Sequence, residues 1–190
     1  MENSQTVGRR KEATARITLT PGDGTIIING KTLEQYFPLK VMQNIVLQPF
    51  AVLVLGLLLG PRMAFATLAA YLAEGAMGLP VFAPGPTGLS GLAHLFGPTG
   101  GYLMAYPVAV ALIAVLWRRS NRNFGWGLVS TAAGDALILA TGAVWLALWT
   151  HGSATTVFTQ AVLPFLPGEA LKIATAAGVG AGASRIRRAN

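Results

Sequence analysis

The sequence predicts an all-α fold, a polytopic helical membrane bundle of five helices with a small β-containing appendage at its N-terminus. Hydrophobic residues make up 53% of the 190-residue chain and charged residues only 11%, whereas a typical soluble domain is roughly 25% charged. The charges are also unevenly spread, because residues 1–46 carry ten of them and long apolar segments follow. This change near Leu47 predicts a soluble N-terminal piece, residues 1–46, and a membrane domain, residues 47–190.

Each apolar segment after Leu47 is bounded by Gly, Pro or basic residues, which is typical of membrane helices and their connectors. A helix needs about 20 apolar residues to cross a bilayer. The five predicted helices are Val46–Gly60, Met63–Met77, Gly101–Trp117, Phe124–Trp149 and Gly168–Ala183. The first of them is short unless residues 41–45 extend it.

Residues 1–46 have the pattern of a small β structure. Alternation over Ala13–Leu19, a turn at residues 21–24 and a β-branched run over Thr25–Ile28 predict a hairpin, and Thr32–Tyr36 is predicted to form a short helix. The segment has no apolar core region and no small-residue cleavage site. It is therefore not expected to be a signal peptide.

The segment from Gly78 to Tyr102 is rich in Gly and Pro and contains no Asp, Glu, Lys or Arg. We expect it to pack at membrane depth, where irregular backbone must be covered by protein or line a cavity. Two interpretations stay open. The segment is a lid over a small-molecule site, or it is a buried connector that lets two helices pack closely.

Few residues of the chain have the character of catalytic or metal-binding groups. The chain has no Cys, which excludes thiol catalysis and Cys-bound zinc, and its two histidines, His94 and His151, are isolated in the sequence. It also has no phosphate-binding glycine motif and no nucleophile–base pair. The sequence therefore predicts neither an enzyme nor a metal or cofactor site.

The arginines predict how the chain is oriented in the membrane. Arg62, the cluster at 118–122 and the cluster at 185–188 are separated from one another by pairs of helices. All three can therefore lie on the cytoplasmic side, where basic residues accumulate. The C-terminus is then cytoplasmic, and Thr87 and His151 face outside.

Four strings in the membrane domain resemble one known family. They are LQPFAVLVLGLLLGPR at 47–62, GLPVFA at 78–83, GPTGGY at 97–102 and LPFLPGEALK at 163–172. They resemble the BioY family, the membrane-embedded, biotin-binding S components of energy-coupling factor (ECF) transporters. The resemblance implies vitamin uptake by a multi-pass protein of the bacterial inner membrane, with biotin as ligand and lipid around it. It also implies a T subunit and ATPase subunits as partners, which supply the ATP hydrolysis. The family has six helices, so its first helix, which carries the docking surface for the T subunit, is expected to be missing here.

Charged residues inside the membrane domain are the first candidates for ligand binding. Away from the arginine clusters they are Glu74, Asp135, Glu169 and Lys172, and each costs about 2.5–3.5 kcal/mol to insert at a helix centre. Given the resemblance, we expect Lys172 to pair with the biotin carboxylate and Glu169, where the family usually has Asp, to accept hydrogen bonds from the ring N–H groups. The alternative is a simple i, i+3 ion pair worth roughly 0.2–0.5 kcal/mol in water.

Uncharged residues complete the expected site. Tyr102 is expected to pack on the ligand ring, Phe82 and Leu79 to supply apolar wall, and Gln48 to add an amide contact from the outer start of the first helix. Glu74 and Asp135 are expected to lie deeper, as hydrogen-bond partners between helices.

A second resemblance covers the N-terminal piece. GRRKEATARITLTPGDGTIIINGKTLEQYFP at 8–38 resembles the N-terminal part of the ninth small-subunit ribosomal protein, up to about Pro49. The match covers only the first portion of that family and lacks its basic RNA-binding tail, so nucleic acid is not expected as a partner. Because Leu47–Val52 fits both families, the sequence indicates a chimera. The alternatives to a biotin transport component are thus a non-functional chimera and a ribosomal RNA-binding fragment.

Overall fold

The structure is a computed structural model that describes the backbone of residues 4–10, 13–19, 27–28, 31–32, 40–83 and 89–189. It describes the side chains of residues 47–186 apart from 84–88, 154, 160–161 and 164. Five long helices and two short ones form the described part of the bundle. They are α1 (Lys40–Leu58), α2 (Pro61–Ala76), α3 (Leu92–Leu95), α4 (Gly100–Arg118), α5 (Phe124–Thr150), α6 (Ala154–Ala161) and α7 (Leu166–Ala189), with a 3-10 turn at Leu163–Phe165.

The five long helices confirm the predicted helical bundle. The first begins at Lys40 rather than at Val46. The prediction had allowed for such an extension over residues 41–45. Local sequence sets several helix ends: α2 begins at Pro61, whose missing N–H is not needed at a first helical position. The α5 helix begins after Asn123, whose side-chain oxygen accepts a hydrogen bond from the Trp126 N–H at 2.9 Å.

The N-terminal strands pair differently from the prediction. Strand β1 (Ser4–Arg10) pairs antiparallel with β2 (Ala13–Leu19), whereas β2 was expected to pair with residues 25–28. Those residues contribute β3 (Ile27–Ile28), which pairs with β4 (Lys31–Thr32). The alternation along Ala13–Leu19 carries no information about which neighbour it faces, and this is why the partner was wrong. The predicted turn at 21–24 and most of the predicted helix at 32–36 lie outside the described residues.

Helix α4 occupies the centre of the bundle. It packs most extensively against α5 and also contacts α1 and α2, while α7 packs against α5 and α1. Ile113 of α4 is fully buried, and its side chain lies directly over Gly56 of α1 and Gly134 of α5. Small residues at these crossings let the backbones approach closely, as in membrane helix packing.

Two of the described helices, α4 and α5, are long and apolar enough to cross a membrane, judged by length and composition. Residues 47–58 of α1 form a shorter apolar segment. The connector between α4 and α5 lies at the same end of the bundle as the α1–α2 turn and the end of α7. A Cβ placed on Gly60 would lie 3.1 Å from Nη1 of Arg118, and Arg122 and Arg185 line one notch. Residues 77–83, 89–99 and 151–165 are therefore at the opposite end.

Candidate functional site

A buried ion pair lies near the beginning of α7. Nζ of Lys172 donates to Oε1 of Glu169 at 2.7 Å, and both side chains are less than a tenth exposed. The other carboxylate oxygen, Oε2 of Glu169, is buried and has no hydrogen-bond partner among the described residues. The pair thus retains one unsatisfied acceptor, a feature that native structures leave only rarely.

Two further helices contribute polar groups to this pair. Asp135 of α5 is 3% exposed. Its carboxyl lies within hydrogen-bonding reach of the Glu169 carboxylate, so the two acids can share a proton, and it also interacts electrostatically with Lys172. Tyr106 of α4 is equally buried and interacts with Glu169 and Asp135, and also with Tyr71 of α2. We call Tyr106, Asp135, Glu169 and Lys172 the polar cluster.

The segment at 78–83 is held against α1 and α2 by two hydrogen bonds to the Val81 carbonyl, and a third hydrogen bond joins their two donors. Nε2 of Gln48 donates to the Tyr71 hydroxyl at 2.9 Å and to the Val81 carbonyl at 3.3 Å, and the Tyr71 hydroxyl donates to the same carbonyl at 3.0 Å. Gln48 lies in the middle of α1 rather than at its outer start, because the helix begins eight residues earlier at Lys40. We call Gln48, Tyr71, Val81 and the neighbouring Phe82 the Val81 clamp.

Aromatic packing adds to the Val81 clamp. The Phe82 ring meets Tyr71 edge-on at 5.5 Å and stacks on His94 at 5.3 Å between centroids. It occupies the place where a Cβ on Gly75 would lie, so a larger residue at position 75 would displace it. His94 is buried in α3, with Nδ1 2.9 Å from the Leu89 carbonyl. The loop therefore closes over the end of α2 through apolar and aromatic contacts.

The start of α4 is fixed against α5. The Tyr102 ring is half-buried and lies over Gly142, while Nε1 of Trp145 donates to the Gly97 carbonyl at 2.8 Å. Tyr102 lies one helical turn from Tyr106, on the same face of α4. The face that carries Tyr102 thus leads from the loop towards the polar cluster.

The predicted residues fall into two neighbouring groups. Glu169, Lys172 and Asp135 come together in the polar cluster, whereas Gln48 and Phe82 belong to the Val81 clamp. Leu79, expected as apolar wall, is 52% exposed. Glu74 joins neither group: it was expected at depth, but it is exposed because α2 ends two residues later at Ala76.

Sequence reasoning missed Tyr71 and Tyr106, which connect the two groups. The signal available for Tyr106 was its i+4 spacing from Tyr102 along a helix that carries no charge before Arg118. Tyr71 carried no comparable signal, since its partners are 10 and 23 residues away in the chain.

Comparison with known proteins identifies the family. The sequence pattern of the BioY family matches residues 24–189, most of the chain. The chain belongs to the BioY family. It is 40% identical over 131 residues to the probable biotin transporter BioY of Pyrococcus horikoshii, covering 68% of this chain and 74% of that protein. It is 34% identical over 131 residues to the biotin transporter BioY of Thermotoga maritima, covering 69% and 75%.

A solved structure resembles the bundle as well. The S-component for biotin from an ECF-type ABC transporter superposes with a TM-score of 0.65 at 28% sequence identity, covering 75% of this chain and 74% of the other. BioY proteins are integral membrane transport components, so this chain is a membrane protein.

The N-terminal piece matches a different family. Over 45 residues the chain is 60% identical to the small ribosomal subunit protein uS9 of Saccharopolyspora erythraea, and it spans 29% of that protein's length. The uS9 protein of Cutibacterium acnes is 64% identical over 44 residues, again about a quarter of its length. The chain therefore joins segments of two unrelated families, as the sequence indicated.

Proposed function

We propose that this chain is the substrate-binding S component of a biotin uptake transporter, with its binding site between the polar cluster and the Val81 clamp. Support comes from its BioY relatives, which are named as biotin transporters, and from the similar S-component for biotin. The ligand is captured and released without chemical change, and the chain itself is no enzyme. ATP hydrolysis is the task of separate ATPase subunits coupled through a T subunit.

The observation that carries this proposal is the unsatisfied Oε2 of Glu169. A buried acceptor without a donor costs roughly 1–3 kcal/mol, and more when it is charged. Biotin has two ureido N–H donors, and a hydrogen bond from one of them to Oε2 would remove this cost. Ligand binding would then complete the hydrogen bonding of the empty site.

Charge balance favours the neutral part of biotin at the polar cluster. Lys172 already pairs with Glu169 and also faces Asp135. A biotin carboxylate placed here would gather three carboxylates around one ammonium group. We therefore propose that the neutral ureido ring binds at the cluster, with its oxygen accepting from Lys172, and that the carboxylate points towards the loop.

The remaining candidate residues line the path from the cluster to the loop. Tyr102 supplies one aromatic wall from α4, and Phe82 supplies the other from the 78–83 segment. Gln48, now donating to Val81, would donate to the ligand carboxylate once this segment moves. The Val81 clamp is in this proposal the closure of the site.

Equilibrium binding of biotin to the purified full-length chain in detergent tests the proposal. Glu169→Gln keeps the side-chain shape but exchanges a charged acceptor for an amide, and it should weaken binding about tenfold to a hundredfold. Thr175→Val is the matched control, because Thr175 lies on the same helix and, among the described residues, its hydroxyl bonds only to the Leu171 carbonyl. Equal affinities for both variants would overturn the proposal.

Biotin methyl ester distinguishes the two orientations of the ligand. If the ring lies at the cluster, Lys172→Ala weakens binding of the acid and of the ester equally. If Lys172 instead pairs with the carboxylate, as the sequence alone suggested, the ester binds the unmodified chain weakly and loses little more on Lys172→Ala. The second result would require the reverse orientation.

We also infer a multi-pass arrangement in the bacterial inner membrane with the C-terminus in the cytoplasm. The arginines at one end of the bundle support it, since basic residues accumulate on the cytoplasmic side. The described loop residues 77–83 and 89–99 and the polar cluster near the start of α7 then lie towards the outside, where biotin is captured.

A further inference from the structure

A small polar notch lies where the α4–α5 connector meets the last turns of α7. Its walls are residues 121–124 on one side and Ala181, Ser184 and Arg185 on the other. Its volume is about 100 Å³, which suits a phosphate-sized group and is far below the pocket sizes of roughly 300–1,000 Å³ that hold whole small-molecule ligands. It lies at the end of the bundle opposite the loop and is separate from the proposed biotin site.

The notch carries positive charge, and no acidic side chain of the described part of the chain lies near it. Arg122 and Arg185 reach it from two separate elements, and both are exposed. Within residues 47–186 the acidic side chains are Glu74, Asp135 and Glu169. The first lies at the opposite end of α2 and the other two in the polar cluster, so no described acid neutralises these guanidinium groups.

Local contacts hold the connector in one conformation. Arg122 has a φ of 51°, in the left-handed region that non-glycine residues rarely adopt. The Ser120 hydroxyl supports it by accepting from the Arg122 N–H at 3.3 Å, and Asn123 caps α5. The backbone thus presents Arg122 at the notch.

The position of the notch indicates the source of its ligand. The connector joins α4 and α5, the two described helices long and apolar enough to cross a membrane, so the notch lies at the membrane surface. Trp126, two residues into α5 beyond the notch wall, is 43% exposed, as interfacial tryptophans are. An anionic phospholipid brings a phosphate to this depth, and its acyl chains can follow the apolar helices.

We propose that this notch binds the phosphate of an anionic phospholipid headgroup, with Arg122 and Arg185 as its two cationic contacts. Each surface cation contributes about fivefold to affinity for an anionic lipid. The site is independent of biotin binding, so the two proposals stand or fall separately.

Native mass spectrometry of the full-length chain in neutral detergent tests this site. The chain is titrated with phosphatidylglycerol and, separately, with phosphatidylcholine, which has the same phosphate and chains but no net charge. We expect selective binding of phosphatidylglycerol, and about a 25-fold loss of its affinity in the double variant Arg122→Gln/Arg185→Gln. Arg62→Gln, which removes an exposed cation from the same end of the bundle but outside the notch, should change it less than twofold.

Other outcomes would overturn the proposal. Equal losses for Arg62→Gln and for either notch arginine alone would mean a diffuse basic face, and equal binding of both lipids would mean that charge is not recognised. Displacement of phosphatidylglycerol by millimolar inorganic phosphate would assign the notch to a free anion. Absence of lipid binding in a chain that still binds biotin would leave an acidic partner protein as the occupant. An unchanged unfolding temperature in detergent shows that each variant is folded.

Discussion

Lys172 is the one described cation near two buried carboxylates, and this charge imbalance determines how substitutions in the polar cluster affect stability. Without a bound proton or ligand, the polar cluster has a net charge of −1: Lys172 against Glu169 and Asp135. Removing one partner of a buried pair is costly, whereas removing a surplus charge is not. Variants of the three residues should therefore differ strongly in stability although all lie in one cluster.

Lys172→Met should destabilise the empty protein by about 3–5 kcal/mol, because it leaves two carboxylates buried with no cation. Glu169→Gln and Asp135→Asn each leave one acid facing one base and should cost far less. Thermal unfolding in detergent, followed through the fluorescence of the four tryptophans, measures the order. A Glu169→Gln variant as unstable as Lys172→Met would mean that the pair is structural and that its charge balance is irrelevant.

Sequence reasoning found the charged members of the site but not the tyrosines that connect them. Glu169, Lys172 and Asp135 stand out because charge is rare and costly in apolar helices. Tyr71 and Tyr106 do not stand out, since tyrosine is ordinary in such segments and their importance comes from partners distant in sequence. The sequence predicted burial of Glu74 for the same reason as burial of Asp135. The two differ because the helix that carries Glu74 ends two residues later, at Ala76.

At the scale of elements, the Val81 clamp determines whether the 78–83 segment stays closed. Two of its three hydrogen bonds pass through the Tyr71 hydroxyl, which accepts from Gln48 and donates to Val81. A typical hydrogen bond contributes about 0.5–1.5 kcal/mol net. The free energy that these hydrogen bonds contribute to the closed segment is therefore small enough for one substitution to remove much of it.

Tyr71→Phe should increase opening of this segment up to about tenfold. It removes one of the two hydrogen bonds to the Val81 carbonyl and the bond that orients Gln48, and it keeps the ring against Phe82. The rate at which a water-soluble maleimide labels Val81→Cys reports the opening, because the chain has no native Cys. Thr67→Val on the same helix is the control, because within the part of the chain that the structure describes the Thr67 hydroxyl bonds only to the Met63 carbonyl. An unchanged labelling rate in Tyr71→Phe would show that aromatic packing alone holds the segment.

The crossing of α4 and α5 depends on Gly142, because the Tyr102 ring occupies the place of a Cβ there. Gly142→Ala should destabilise the bundle by roughly 1–3 kcal/mol, the usual cost of overpacking. Gly125→Ala is a matched control on the same helix, where the nearest atom to a new Cβ is 3.6 Å away. Thermal unfolding compares them, and equal melting temperatures would show that Tyr102 moves aside without cost.

The helices were predictable because composition defines them. The loop contacts were not, because they depend on partners that are distant in the sequence. Apolar length and the flanking Gly, Pro and Arg residues predicted five helices within a few residues of their ends, apart from the start of α1 and the end of α7. The loop contacts were not predictable, because Gln48 and Val81 are 33 residues apart and neither carries a distinctive pattern. For the same reason the hydrogen bond from Trp145 to the Gly97 carbonyl, 48 residues away, was not predictable.

At the scale of the whole molecule, the arginine-rich end and the loop end should face opposite sides of the membrane. Thr87, the position suggested by the sequence, lies outside the described residues, so exposed Ser90 is the better reporter of the loop. In intact cells an impermeant maleimide should label Ser90→Cys, whereas Asn121→Cys in the α4–α5 connector should react only after permeabilisation. Labelling in the reverse order would place the C-terminus outside.

The two-family composition of the chain leads to a separate expectation for its N-terminal piece. Every side chain assigned to the biotin site lies between Gln48 and Lys172, although the backbone of β1 and β2 approaches α7. Deleting residues 2–23, which precede the BioY match, should leave biotin affinity within about twofold, the change expected for sites without shared contacts. Deleting residues 2–38 removes the stretch that precedes α1 as well, and it should do the same. Equilibrium binding in detergent compares both deletions with the full chain. Loss of binding only in the longer deletion would assign residues 24–38 to the transport domain, and loss in both would mean that the ribosomal-like segment has become part of the folded site.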